Sequence, residues 1–115
     1  MIKHAKDMAV ETRVHMRDGD GQVLVTNVLN KDEFKGHSRM VGVLTLEPGC
    51  SIGSHPHNNE EEIFYVIEGK VEYDDNGKSV TLEAGDSAIC PDGEAHAVAN
   101  RSDKTARIFA VILTY

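Results

Sequence analysis

Cysteine is nearly missing from this chain: Cys50 and Cys90 are the two in 115 residues. One possible pair cannot build the disulfide framework on which small secreted domains depend, and neither has zinc-ribbon spacing. Both are read as free thiols in a reducing, cytoplasmic setting. Positive charge is also scarce, with 12 Lys and Arg against 19 Asp and Glu and a net charge of −7. No basic stripe appears, which argues against nucleic acid and against an anionic membrane surface as partners. Long apolar runs are absent. The longest, Ile63 to Ile67 and Ile108 to Leu113, are far too short to cross a bilayer. Met1 to Val10 carries Lys3, His4, Lys6 and Asp7, so it has no apolar signal-peptide segment. No Ser-His-Asp or Cys-His arrangement and no phosphate-cradling glycine loop is visible.

Helix signals are few, and Lys31 to Lys35 alone has room for a helical turn. Strand signals are regular instead. Gln22 to Leu29, Arg39 to Leu46, Ile63 to Ile67 and Lys70 to Tyr73 read as strands between turn residues. So do Ser79 to Leu82, Ser87 to Cys90, Ala95 to Ala99 and Arg107 to Thr114. Asn76-Gly77 predicts a two-residue hairpin, because both central positions of a type I′ turn need φ > 0. Short strands every ten residues or so argue for an all-β sandwich or barrel in one domain spanning 1–115. A chain of this length buries about two-thirds of its unfolded surface, enough for a core without staples.

Function is legible in four residues. His55, His57, Glu62 and His96 supply three imidazoles and a carboxylate, a complete protein ligand set for one divalent transition metal. Side chains on a strand alternate, so His55 and His57 share a face with Cα atoms ~6.6 Å apart. His96 must arrive from another strand, which requires a sheet that curls back on itself. If Glu62 points inward, Phe64 and Val66 do too, and Ile63, Tyr65 and Ile67 form an apolar outer row. Such a row calls for a cover, from a second sheet, the N-terminal strands or another subunit, and as an association surface it makes a homodimer the default expectation.

The spacing of the two segments is G-x5-H-x-H-x4-E-x6-G over Gly49 to Gly69 and G-x5-P-x-G-x2-H-x3-N over Gly85 to Asn100. All ten fixed positions resemble the two-motif signature of the cupin superfamily. The fifteen residues from Lys70 to Ala84 are similar to the short spacer of small microbial cupins. The resemblance implies a conical double-stranded β-helix (jelly-roll) barrel, with extra N-terminal strands and a metal-binding core about 41–113. It also implies that His55, His57, Glu62 and His96 are the metal ligands. Mn, Fe, Ni, Co or Zn would suit this nitrogen and oxygen set, and affinity order alone does not choose among them. Gly49, Gly69, Gly85 and Gly93 are expected in turns, and Pro91 at the bend into the histidine strand.

The remaining polar candidates are weaker. Glu60 and Glu61 read as solvated loop acids, with Glu61 replacing Glu62 only if the register slips. His4, His15 and His37 lack paired spacing and read as surface residues. Asp18, Asp20 and Gly21 faintly resemble the start of a calcium loop, but no Glu follows at its twelfth position, so they read as a turn. Arg39 and Tyr73 are candidates at the barrel mouth for an anionic ligand. The functional expectation is a metal-dependent enzyme acting on a small carboxylate or carbonyl compound, of decarboxylase or dioxygenase type. Within the resemblance, Ser51 to His55 and Glu60 to Glu62 look like small cupins labelled oxalate decarboxylases. The alternatives are a non-catalytic sugar- or organic-acid-binding cupin, and an isomerase or lyase using the same site.

Overall fold

Period-two burial along the strands sets the architecture. In the computed structural model, which describes residues 1–115, ten strands form two wholly antiparallel sheets. In chain order they are β1 (Val10–Val14), β2 (Gln22–Leu29), β3 (Ser38–Leu46), β4 (Ser51–Pro56) and β5 (Glu60–Glu68). Then come β6 (Lys70–Asp75), β7 (Lys78–Glu83), β8 (Ser87–Cys90), β9 (Ala95–Ala99) and β10 (Ala106–Thr114). The six-stranded sheet runs β1-β2-β3-β10-β5-β8 and the four-stranded sheet β4-β9-β6-β7. Helix is confined to the 3₁₀ turns Ala5–Asp7, Met16–Asp18 and Lys31–Glu33. No helix is long and apolar enough to cross a membrane. This is the all-β jelly-roll arrangement expected from the sequence.

On β5, Glu62, Phe64 and Val66 are buried while Ile63, Tyr65 and Ile67 are exposed, as alternation requires. Phe64 sits opposite Ala110 and Val66 opposite Ile108 of β10, so a small residue makes room for the aromatic ring. Leu44 and Leu46 of β3 extend this inner face, and Ile52, Val71, Tyr73, Leu82 and Val98 meet it from the other sheet. Leu46 and Ile108 are wholly buried, and each such side chain contributes roughly 1.5–3 kcal/mol of transfer free energy.

Two features position the site. The β4–β9 ladder pairs Ile52 with Val98 and then His55 with His96, so a β-bulge lies between Ile52 and His55. The extra residue reverses the inside–outside parity, which lets Ile52, His55 and His57 all face inward. The bulge is also why Gly53 is glycine: a Cβ there would lie 1.9 Å from the Arg17 carbonyl oxygen.

Turn chemistry follows the sequence. Asn76 (φ 50) and Gly77 (φ 98) join β6 to β7 as a two-residue hairpin, with Asp75 paired to Lys78. Gly49, Gly69, Gly85 and Gly93 all have positive φ. β1 is a strand that the residue pattern does not announce, since all five of its residues are exposed at the sheet edge.

Candidate metal centre

Three strands deliver the four predicted side chains to one point. His55 comes from β4, His57 from the residue just beyond it, Glu62 from β5 and His96 from β9. Their donor atoms all lie within 4.8 Å of one another. Every one is buried, with residue exposures of 8%, 1%, 5% and 2% respectively. Backbone bonds fix His57 although it has left the ladder: its N–H donates to Glu94 O at 3.0 Å, and Gly93 N–H donates to its carbonyl at 2.8 Å.

Each imidazole is held by its Nδ1, leaving Nε2 for the centre. His55 Nδ1 donates to Gly53 O at 2.8 Å, and His57 Nδ1 donates to the Glu60 carboxylate at 2.5 Å. His96 Nδ1 meets the Tyr73 hydroxyl at 2.8 Å. For His55 and His57 the acceptors are a carbonyl and a carboxylate, so Nδ1 must carry the proton. Tyr73 can donate or accept, and its hydroxyl accepts when His96 turns an Nε2 lone pair inward.

The inward atoms then crowd together. His57 Nε2 lies 3.0 Å from His96 Nε2, and His96 Nε2 lies 3.2 Å from His55 Nε2. Glu62 Oε1 is 3.1 Å from His57 Nε2 and 3.0 Å from His96 Nε2. Three lone pairs and a carboxylate at these separations repel unless positive charge stands among them. A divalent ion meets that requirement, so the donor set fits a metal on its own chemistry.

Hydrogen bonding to Glu62, reinforced by Glu60, raises the pKa of His57 above its ordinary value against the effect of burial. Burial lowers that of His55, and the positive fields of His96, His57 and Arg17 push the same way. Burial favours protonation of Glu62, but hydrogen bonds from His57 and His96 outweigh it and hold the carboxyl below its usual range. Tyr73 is pushed up by burial and stays a phenol.

Beside the centre lies a cavity of about 270 Å³, with Phe64, Leu44, Ile52 and Ile112 in its apolar wall and Arg39, Arg13 and Arg17 among its polar lining. Arg39 therefore stands where the sequence reading placed it. Tyr73 does not: it is 3% exposed, is not among the residues that line the cavity, and its hydroxyl meets His96 Nδ1 from β6, the strand paired with β9. Glu60 is a second correction, since it is no solvated loop acid. It begins β5 with 14% side-chain exposure, accepts from Arg39 Nε and Nη2 at 2.7 Å each, and accepts from His57 Nδ1. The Arg39 hydrogen bonds, with help from His57, pull its pKa down to about 2.

Glu61 is half-buried and outside the cluster, and His4, His15 and His37 are exposed. Asp18 and Asp20 belong to a turn whose Asp20 N–H donates to Ser51 Oγ at 2.8 Å. Arg13, Met16 and Arg17, all lining the cavity, had no signature in the sequence.

Comparisons with known proteins identify the family and the fold. A family model described as "Cupin domain" matches residues 42–112. An oxalate-binding protein from Thermotoga maritima is 33% identical over 113 residues, covering 98% of this chain and 93% of the relative. A polyketide synthase protein, CurC, from Streptomyces cyaneus is 33% identical over 80% of this chain but 57% of its own length. A crystal structure of a predicted oxalate decarboxylase from Thermotoga maritima superposes with a TM-score of 0.95 at 32% identity, covering 100% of both chains. With sequence motif, buried ligand geometry and family match in agreement, the chain belongs to the cupin family.

Proposed function

We propose that His55, His57, Glu62 and His96 hold one divalent transition ion, among Mn, Fe, Ni, Co and Zn, and that the adjoining cavity binds a small organic acid beside it. The observation that carries this reading is the convergence of four buried donor atoms within 4.8 Å beside the cavity. A bound ion supplies Lewis acidity and, for Fe or Mn, access to O₂ chemistry. The chain's own part is to fix three imidazole tautomers through Gly53, Glu60 and Tyr73, and to exclude water with Phe64, Leu44 and Ile112. A cavity of about 270 Å³ is at the small end for ligand sites. That favours a compact carboxylate or carbonyl compound over a polyketide.

Within this class we read a metal-dependent enzyme of decarboxylase or dioxygenase type. A second reading is favoured by a relative named for binding rather than turnover: the oxalate-binding protein, which this chain matches along 98% of its length. In that case the cupin grips an organic acid without converting it. An isomerase or lyase would use the same residues. The outer row of Ile63, Tyr65, Ile67 and Ile89, each 36–50% exposed, supports the homodimer expected from the sequence.

The test is to load the protein with Mn, Fe, Ni, Co or Zn and assay oxalate and related small acids for product and for ligand-dependent thermal stabilisation. Product formation establishes the enzyme, and stabilisation without product establishes the binder. His55→Ala and His96→Ala should lose bound metal while staying folded; full metal stoichiometry in either variant sinks the ligand assignment.

A further inference from the structure

The cavity beside the centre is lined against the charge of the chain as a whole. The protein carries 19 acidic and 12 basic side chains, yet Arg13, Arg17 and Arg39 line this cavity and Glu62 is its sole carboxylate. Once Glu62 is committed to a metal, the lining offers cations without a counter-charge of its own.

The three guanidinium groups are not equivalent. Arg39 is engaged by both oxygens of Glu60. Arg13 pairs with Glu11 at 3.1 Å across an exposed surface, a contact that contributes little. Arg17 has no ion-pair partner within the chain.

Its placement is nevertheless tightly specified. His15 (φ 51), Arg17 (φ 54) and Asp18 (φ 64) occupy the left-handed region, which L residues other than glycine seldom enter. Such a conformation persists where surrounding contacts over-determine it. Here Asp18 N–H donates to His15 O at 3.0 Å and Gly19 N–H to Met16 O at 3.0 Å. Ser51 N–H donates to Asp20 O at 2.9 Å, and Asp20 N–H to Ser51 Oγ at 2.8 Å. The Arg17 carbonyl fits over Gly53 in the bulge of β4, in space that any Cβ would close. The turn is thus bolted to the strand that carries His55, and Arg17 is held at the same cavity as the four donor residues.

We propose that Arg17 is a specificity-determining residue forming a second anion subsite, so that the pocket selects small dicarboxylates over monocarboxylates. One end of the ligand chelates the ion and the other carboxylate meets the Arg17 guanidinium, with Arg13 and Arg39 adding to the field. This rests on the metal-bound organic acid reading above and narrows its ligand class. A planar guanidinium matches a carboxylate in two-pronged geometry, and a cavity of about 270 Å³ favours a short spacer between the two ends.

The test uses Mn(II)-loaded protein, with metal content measured first in wild type and in Arg17→Asn. Asparagine removes the charge while tolerating the left-handed backbone. Calorimetry then compares malate with 2-hydroxybutyrate, and 2-hydroxyglutarate with 2-hydroxyvalerate. Each pair shares its chelating end and differs in the distal carboxylate; oxalate, which has no distal group, is the control. At least one diacid should bind wild type about tenfold tighter than its monoacid partner. R17N should abolish that preference, lowering diacid affinity more than that of oxalate or of the monoacids. If metal is bound but neither diacid is preferred, or the preference survives in R17N, the subsite is refuted while the metal reading stands. Wild type that takes up none of Mn, Fe, Ni, Co or Zn refutes both.

Discussion

The Tyr73 hydroxyl lies 2.8 Å from Nδ1 of His96, inside the core and on the far side of the ring from the other donors. Tyr73 pairs with Val98 across β6 and β9, two residues along from His96, so the phenol reaches back to the ring from the neighbouring strand. With a metal at Nε2, the Nδ1 proton of His96 has this oxygen as its acceptor. Outer partners of this kind orient an imidazole and raise its basicity as a ligand.

Tyr73→Phe keeps the ring and removes the acceptor. Metal affinity should fall roughly tenfold, and the buried Nδ1–H left unsatisfied should lower stability by about 1–3 kcal/mol. Competition with a chromophoric chelator reads the first and urea unfolding of the metal-bound protein the second. Unchanged affinity would mean that His96 does not need this oxygen.

Glu60 joins Arg39 at the cavity to His57 at the centre, and its substitution separates two roles. Glu60→Gln retains a carbonyl acceptor for His57 but loses the charge that Arg39 engages with both nitrogens. Its carboxyl is depressed from 4.5 to about 2, so it stabilises the folded metal-free chain above pH 4.5 and ceases to do so as pH falls toward 2. The variant should therefore lose less stability than wild type across that window. Urea midpoints measured at its two ends check the sign, and parallel acid curves would contradict it.

How much of this was legible in the sequence depends on whether a feature is periodic or relational. His55, His57, Glu62 and His96 could be read because their types and spacing are unusual together, and Phe64 and Val66 followed from parity with Glu62. The bulge between Ile52 and His55 could not be read so, because the parity change shows only once β4 is paired with β9. β1 was hidden because an all-exposed edge strand has no burial pattern. Glu60 looked like one acid among three until its register on β5 set it against Arg39. Tyr73 was misplaced at the mouth because alternation gives a face but not the strand behind it. Arg17 enters through a left-handed turn, which pattern reading assigns to a loop without function.

The outer face of β5 should behave as a subunit contact. Ile63 is paired with Ile89 of β8, and Tyr65 and Ile67 continue the row along β5. Ile63→Lys or Tyr65→Lys sets an ammonium in that row, where desolvation against a second copy is unfavourable. The wild-type chain is expected to sediment as a dimer and the variants as monomers at micromolar concentration. Identical sedimentation of wild type and variants would dissociate this row from assembly.

Metal affinity should be strongly pH dependent, and the direction follows from His57. Both of its nitrogens face carboxylates, Glu62 at Nε2 and Glu60 at Nδ1, and their hydrogen bonds raise its pKa. Binding must expel the Nε2 proton. His57 has a raised pKa, so the competition begins above 6.5 and strengthens as pH falls. His55, lowered by burial, is already neutral there and adds little until more acid conditions. Affinity should thus drop about tenfold per pH unit below the His57 transition, one proton being displaced per ion, and steepen when His55 joins. Chelator competition from about pH 5 to 8 reads this slope. A flat profile would show that imidazole nitrogens are not the ligands, since no carboxylate site loses its metal to protons in that range.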